Sequence, residues 1–324
     1  MTMNTIILAA LKQVLTLVCG LGTHKKLFIL IYHRVLDEPD FMRPGEVDKQ
    51  TFSWQMALLA KYFHVLSVSD ALEKLKTNSL PARAVCITFD DGYADNLLNA
   101  VPILKKHQLS ASFFIASGYL NGGRMWNDSI IEALRNMQQA ELNLSGIDLG
   151  VYSIATSTQK YAAAQQIIKK LKYLQPAQRL YLSEQIAACV NGLPDNLMLT
   201  HEQLKQLQQH GMAIGGHTVT HPIMAKLDVN AALQEVIDNK NALEKLLKTQ
   251  IDYFAYPNGK LGSDYLASQV DIIKTVGYQA AFSTHWGVVT ANSDLWQLPR
   301  FTPWDKTPVK FMLRMVALYC NTVK

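Results

Sequence analysis

From Leu27 onward the chain alternates short apolar runs that end in polar residues with longer stretches of helical period, and this rhythm limits the possible folds more than any other feature. Continuous apolar runs mark strands buried on both faces, and a helix between successive strands makes them parallel. The expected strands are Leu27–Tyr32, Ala84–Phe89, Ala111–Ile115, Ala213–Gly215, Tyr253–Tyr256 and Ala280–Phe282. Between them, helices are expected over Thr51–Tyr62, Ser69–Leu75, Asn96–His107, Thr200–His210, Ala231–Leu247 and Gly262–Val276. Thr200 with Gln203 forms a capping-box pattern and Gly211 follows as a stop. Ser69 and Asp70 open their helix in the same way, and Gly277 closes another.

The 324 residues suffice for one α/β barrel with an insertion. Between about Gly122 and Asn196 the rhythm stops: the segment is rich in Gln, Leu, Lys and Ala, and Ile130, Leu134 and Met137 recur at helical spacing. Its one weak strand signal is Asp148–Ile154. The expected organisation is a barrel domain over 27–306, carrying a mostly helical insertion at about 124–196. An apolar helix in 1–26 precedes it, and an amphipathic helix in 307–324 follows.

Lys and Arg exceed Asp and Glu by only five, and no basic block is present, which argues against a nucleic-acid partner. Cys19, Cys86, Cys189 and Cys320 form no C-x-x-C pair and are expected as buried thiols. Lys12 and Gln13 interrupt the apolar run Thr5–Gly22, and no cation precedes it, so it reads neither as a clean span nor as a good export signal. Both terminal helices suit packing on the barrel or peripheral contact with a membrane surface. A cytoplasmic or membrane-associated protein is expected over a secreted one.

In parallel α/β proteins the working side chains gather where strands end. Here those ends carry Tyr32-His33, Asp90-Asp91-Gly92, Gly216-His217 with His221, and Tyr256-Pro257-Asn258-Gly259. Adjacent carboxylates repel each other and call for a cation. The His217-x-x-x-His221 pair can bring two imidazoles to one metal, and two histidines with one carboxylate leave positions open, as a catalytic site requires. Non-haem iron oxygenases share such a triad, but the second carboxylate favours hydrolysis, because a base beside a metal-activated water cleaves esters and amides. If the sheet closes, His33 faces the same mouth and is placed to protonate a departing amine.

The motifs Thr88-Phe89-Asp90-Asp91-Gly92, His217-Thr218-Val219-Thr220-His221 and Phe254-Ala255-Tyr256-Pro257-Asn258-Gly259, in this order, resemble those of the polysaccharide deacetylases, the carbohydrate esterase family with the NodB homology domain. The resemblance covers about Leu27–Gly123 and Leu199–Pro303. It implies a distorted (β/α) barrel of about seven units that holds one divalent ion, zinc above all, with Co2+, Ni2+ or Fe2+ as alternatives. It implies release of acetate from N-acetylhexosamine residues of a glycan or glycan precursor. By motif position Asp90 is then the general base, Asp91, His217 and His221 the ligands, and the Asn258 backbone amide the oxyanion donor.

Two departures from the family pattern stand out. The Leu-x-His motif that carries the acid in many relatives is missing near the C-terminus, whereas Ile31-Tyr32-His33 resembles the arrangement of poly-N-acetylglucosamine deacetylases. His33 is therefore the expected acid, with His285 as the alternative. Ala255 stands where many members carry an arginine that orients the base, and Arg300 is the expected substitute. Tyr93, Trp126, Asn127, Asp128, Tyr256, Trp286 and Trp304 are candidate sugar contacts, because C–H faces of sugars pack on rings. The competing readings are an inactive glycan-binding protein on the same scaffold, suggested by Ala255, and a metal hydrolase of small non-carbohydrate amides.

Overall fold

The computed structural model describes residues 3–20 and 25–320. Seven parallel strands form its centre: β1 (Leu27–Tyr32), β2 (Ala84–Phe89), β3 (Ser112–Ile115), β4 (Ala213–Gly216), β5 (Tyr253–Ala255), β6 (Ala280–Trp286) and β7 (Leu298–Arg300). They neighbour one another in that order. The sheet closes where Phe301, just past β7, pairs with β1, its N–H donating to the Ile29 carbonyl and its carbonyl accepting from Ile31, both at 3.0 Å. The result is a nearly closed, distorted (β/α) barrel. A two-residue strand, His64–Val65, adds to the start of β2.

Every residue of β1 and β2 is buried, as apolar runs without alternation predict for strands covered on both sides. Because successive side chains point to opposite faces, Leu27, Ile29, Ala84 and Cys86 form one cluster with Phe114, Ala255, Phe282 and Leu298. Phe28, Leu30, Val85 and Ile87 belong to the other, larger cluster. Continued along β2, that alternation puts Thr88 and Asp90 on the same face as Ala84 and Cys86.

The helices follow the expected order with shifted ends. The capping box of His201–Gln209 forms as predicted, with Thr200 accepting from the Gln203 N–H. Ser67, rather than Ser69, caps Val68–Lys76. The predicted helix from Asn96 begins as a π-turn over Asn96–Ala100, in which Asn96 is buried and donates to the His33 carbonyl at 2.8 Å. The helix expected from Gly262 starts only at Ala267, because the preceding residues turn around Asp264, which accepts from the Lys260 N–H.

The insertion leaves and rejoins the barrel at one place, where Gly123 pairs with Asn196. It holds helices Trp126–Asn136, Ser157–Leu171 and Pro176–Ala187, and an antiparallel hairpin of Glu141–Leu144 with Gly150–Ser153. Ile130, Leu134, Tyr152, Ile167 and Ile186 give it a core of its own. Helices Met3–Gly20 and Pro308–Cys320 lie against each other, with Leu15, Cys19, Phe311 and Met315 buried. Among the described residues no helix is long and apolar enough to cross a membrane. The four thiols are unpaired; Cys19 and Cys86 are buried, but Cys189 and Cys320 are exposed, contrary to expectation.

Candidate active site

The ends of β2 and β4 carry the densest chemistry. Asp90, 2% exposed, receives two parallel bonds of 2.7 Å from Arg300 at the end of β7. The guanidinium is itself fully buried, held by the Ser283 carbonyl and the Thr88 hydroxyl between the rings of Phe114 and Phe282. Burial pushes the Asp90 carboxyl up, but the Arg300 charge outweighs it and holds the group below the usual range. Ala255 is buried under this layer, so Arg300 supplies the cation that position 255 lacks.

Asp91 leaves the strand with φ of 76°, in the left-handed region, which turns its side chain away from that of Asp90. Its Oδ1 lies 3.4 Å from Nε2 of both His217 and His221. That oxygen is buried without a hydrogen-bond partner. One ligand atom from each of Asp91, His217 and His221 lies within 4.8 Å of the other two. Burial holds the His221 imidazole down to about 3, leaving it neutral. The His217 Nδ1 faces the Ala255 carbonyl at 2.7 Å, which fixes Nδ1–H as the tautomer and leaves Nε2 a free lone pair. An orphaned carboxylate oxygen between two such imidazoles fits a divalent cation.

The loop from His217 to His221 is braced from outside. Glu235 accepts from the Val219 and Thr220 amides at 2.8 and 2.9 Å, and Asn239 binds the His217 N–H and the Ile115 carbonyl. Gly216 is required by close approach, since a Cβ there would run into the Tyr278 hydroxyl and the Asn239 side chain. From the insertion, Arg179 donates to the His221 carbonyl at 3.3 Å and stacks on Trp126.

A cavity of about 490 Å³ opens over these groups. His33, Asp90, Asp91, Tyr93, Asp128, His217, His221 and Asn258 all line it. Burial alone would lower His33, but Asp91, Glu46 and Asp90 together raise it above the ordinary histidine value. Asn258 has φ of 60°, and among the described residues no acceptor takes its N–H. The next residue, Gly259, has φ of 72° and packs too closely against Thr284 for a Cβ.

Five predicted site residues lie elsewhere. Tyr256 is fully buried, stacked on Tyr265 at 3.9 Å and bonded to the Trp296 carbonyl, so it supports the core. Trp126 packs inside the insertion. His285 is exposed, and Trp286 stacks on Trp304; none of these five residues lines the cavity.

Sequence reasoning missed Glu46 and Arg43, which come from the irregular segment after β1 and line the cavity. Arg43 binds Asp128 at 2.8 Å and Glu132 at 2.5 Å, tying this segment to the insertion. Asp128 also accepts from the Tyr93 hydroxyl at 3.1 Å, so its predicted place at the site is partly structural. Tyr161 and Gln165, from the second insertion helix, complete the wall.

Comparison with known proteins places the chain in a family and supports its fold. A family model described as polysaccharide deacetylase matches residues 77–281. The putative polysaccharide deacetylase YxkH of Bacillus subtilis (strain 168) is 22% identical over 276 residues, covering 85% of this chain and 70% of that protein. Among solved structures, the Streptococcus pyogenes deacetylase PplD in complex with acetate superposes with a TM-score of 0.61 at 21% identity, over 90% of this chain and 98% of that one. IcaB from Ammonifex degensii gives 0.57 at 19% identity, over 91% and 97%. With more than half its length matched by the family model, the chain belongs to the polysaccharide deacetylase family.

Proposed function

We propose that the protein is a metal-dependent N-deacetylase that frees acetate from N-acetylhexosamine residues of a glycan or glycan precursor. One observation carries this reading: the unpartnered Asp91 Oδ1 faces two imidazole nitrogens beside a second carboxylate held by Arg300. Asp91, His217 and His221 would hold the ion, and this N/O donor set suits Zn2+, with Co2+, Ni2+ or Fe2+ as alternatives. A divalent ion there supplies Lewis acidity toward an acyl oxygen and toward water.

The remaining chemistry belongs to the chain. Asp90, ionised and oriented by Arg300, takes a proton as water adds to the acetamide carbon. The Asn258 N–H is placed to donate to the oxygen on which negative charge develops. His33, raised above the ordinary histidine value by Asp91, Glu46 and Asp90 against its burial, gives a proton to the sugar nitrogen as the C–N bond breaks. Acetate and a free amine result. Tyr93 and Asn127 line the space a sugar ring would fill.

The reading as an inactive glycan-binding protein rested on Ala255, and the Arg300–Asp90 pair removes that ground. The test is acetate release from N-acetylglucosamine oligomers of several linkages, using metal-stripped protein with and without added Zn2+. Metal-dependent release supports the proposal; no release on any oligomer by protein with stoichiometric metal contradicts it.

A further inference from the structure

The deacetylase chemistry makes no use of the two terminal helices, yet they have an unusual surface. Residues 3–20, 25–26 and 306–320 contain six of the chain's 31 Lys and Arg and none of its 26 Asp and Glu. The rest of the chain therefore holds 25 basic against 26 acidic residues, so the positive excess lies on the two helices, which carry Lys12, Lys310 and Arg314, and on Lys25, Lys26 and Lys306 beside them, with Asp305 as the one adjoining carboxylate.

The same pair exposes apolar side chains. Helix Met3–Gly20 turns Leu15 and Cys19 inward, while Ile6, Val14 and Leu17 are 57%, 44% and 67% exposed. At 100° per residue these three fall within about 80° of one another, which makes a continuous outward stripe roughly opposite Leu15. On its neighbour, Leu313 is 50% exposed on the same face as Lys310, three residues before it, and Lys306 stands two residues ahead of the helix. Arg314 is taken by Asp305, but among the described residues Lys306 and Lys310 form no ion pair.

We infer that this helix pair is a docking surface for an anionic lipid bilayer, lying in the plane of the headgroups. Exposed aliphatic residues beside unpaired lysines are what an interfacial helix presents: the apolar stripe enters the acyl boundary and the cations meet lipid phosphates. A second copy of the chain is a poorer occupant, because it would bring cations against cations without an acidic partner. Spanning the membrane is excluded for this helix by its polar interruptions.

The test is flotation of the full-length protein with vesicles of phosphatidylcholine alone and of phosphatidylcholine mixed with phosphatidylglycerol, at low and high salt. The protein is expected to float with the anionic vesicles and to detach as salt rises. Lys306→Gln and Lys310→Gln should each lower partitioning about five-fold. Val14→Ser with Leu17→Ser should abolish it. Deacetylation of soluble oligomers should be unchanged in all three variants, so failure here is distinguishable from failure of the enzymatic reading. Equal binding to neutral vesicles, no binding at all, or a dimer in light scattering that Leu17→Ser dissociates would each overturn the inference.

Discussion

Arg300 and Asp90 are 210 residues apart in the chain, yet their side chains meet in two parallel 2.7 Å bonds inside the barrel, both shielded from solvent. The pair spans the seam where β7 comes back to β1 and β2. A buried guanidinium fork both orients the carboxylate and keeps it ionised.

Removing the charge as Arg300→Met should raise the Asp90 pKa, since burial is then opposed only by the neighbouring His217 and His33. The acid limb of the pH–rate profile should move to higher pH, while Arg300→Lys moves it less. The stability contribution has a definite sign. Asp90 is depressed in the folded state, so its contribution is present above the unfolded Asp value and lost as pH falls through the folded one. Loss of one partner of such a pair costs about 3–5 kcal/mol, readable by denaturant titration at neutral pH.

Adding metal to the stripped protein should raise its melting temperature. At a hundredfold excess over Kd the gain is about 2.7 kcal/mol. Asp91→Asn and His221→Ala should melt without that gain and should bind no stoichiometric metal by elemental analysis. A full metal-induced shift in both variants would remove these residues from the site.

His33→Gln should slow acetamide hydrolysis by about 10²–10⁴-fold. An aryl acetate, whose leaving group departs without a proton, should lose much less. Equal losses on both substrates would show that His33 positions the site instead of serving as its acid. The corresponding change at exposed His285 should leave both rates unaltered.

Arg43→Ala should loosen the insertion, because Asp128 would keep a buried charge without its cation and Glu132 would keep only Arg135. The expected cost is about 3–5 kcal/mol, with KM rising more than kcat falls. Asp128→Asn combined with Arg43→Ala should cost less than the two single changes summed, as expected for groups in contact.

Strand ends were legible because a parallel sheet forces apolar runs to stop where polar loops begin, and Asp90, Asp91, His217 and His221 all sit at such stops. Strand β7, three residues long with Pro299 at its centre, was not among the expected strands; Arg300 was expected at the mouth only because the family resemblance left Ala255 without an arginine. Glu46 and Arg43 left no periodic trace, being in irregular chain. Nothing in the pattern of its helix marks Asn239, although burial and four hydrogen bonds make it a brace for His217. The strand Glu141–Leu144 escaped notice because its alternating Glu-Leu-Asn-Leu has little β propensity, and pairing with Gly150–Ser153 makes it a strand. Tyr256 misled in the other direction: beside Pro257 and Asn258 it looked like a rim residue, but Tyr265 draws it into the core.

Acetate release by wild type and by Asp90→Asn, each loaded with Zn2+ and measured on the same N-acetylglucosamine oligomer, bears most directly on the mechanism. The account predicts metal-dependent release by the wild type and a loss of about 10²–10⁴-fold in the variant, with metal content preserved. Undiminished release by Asp90→Asn at full metal occupancy would contradict it.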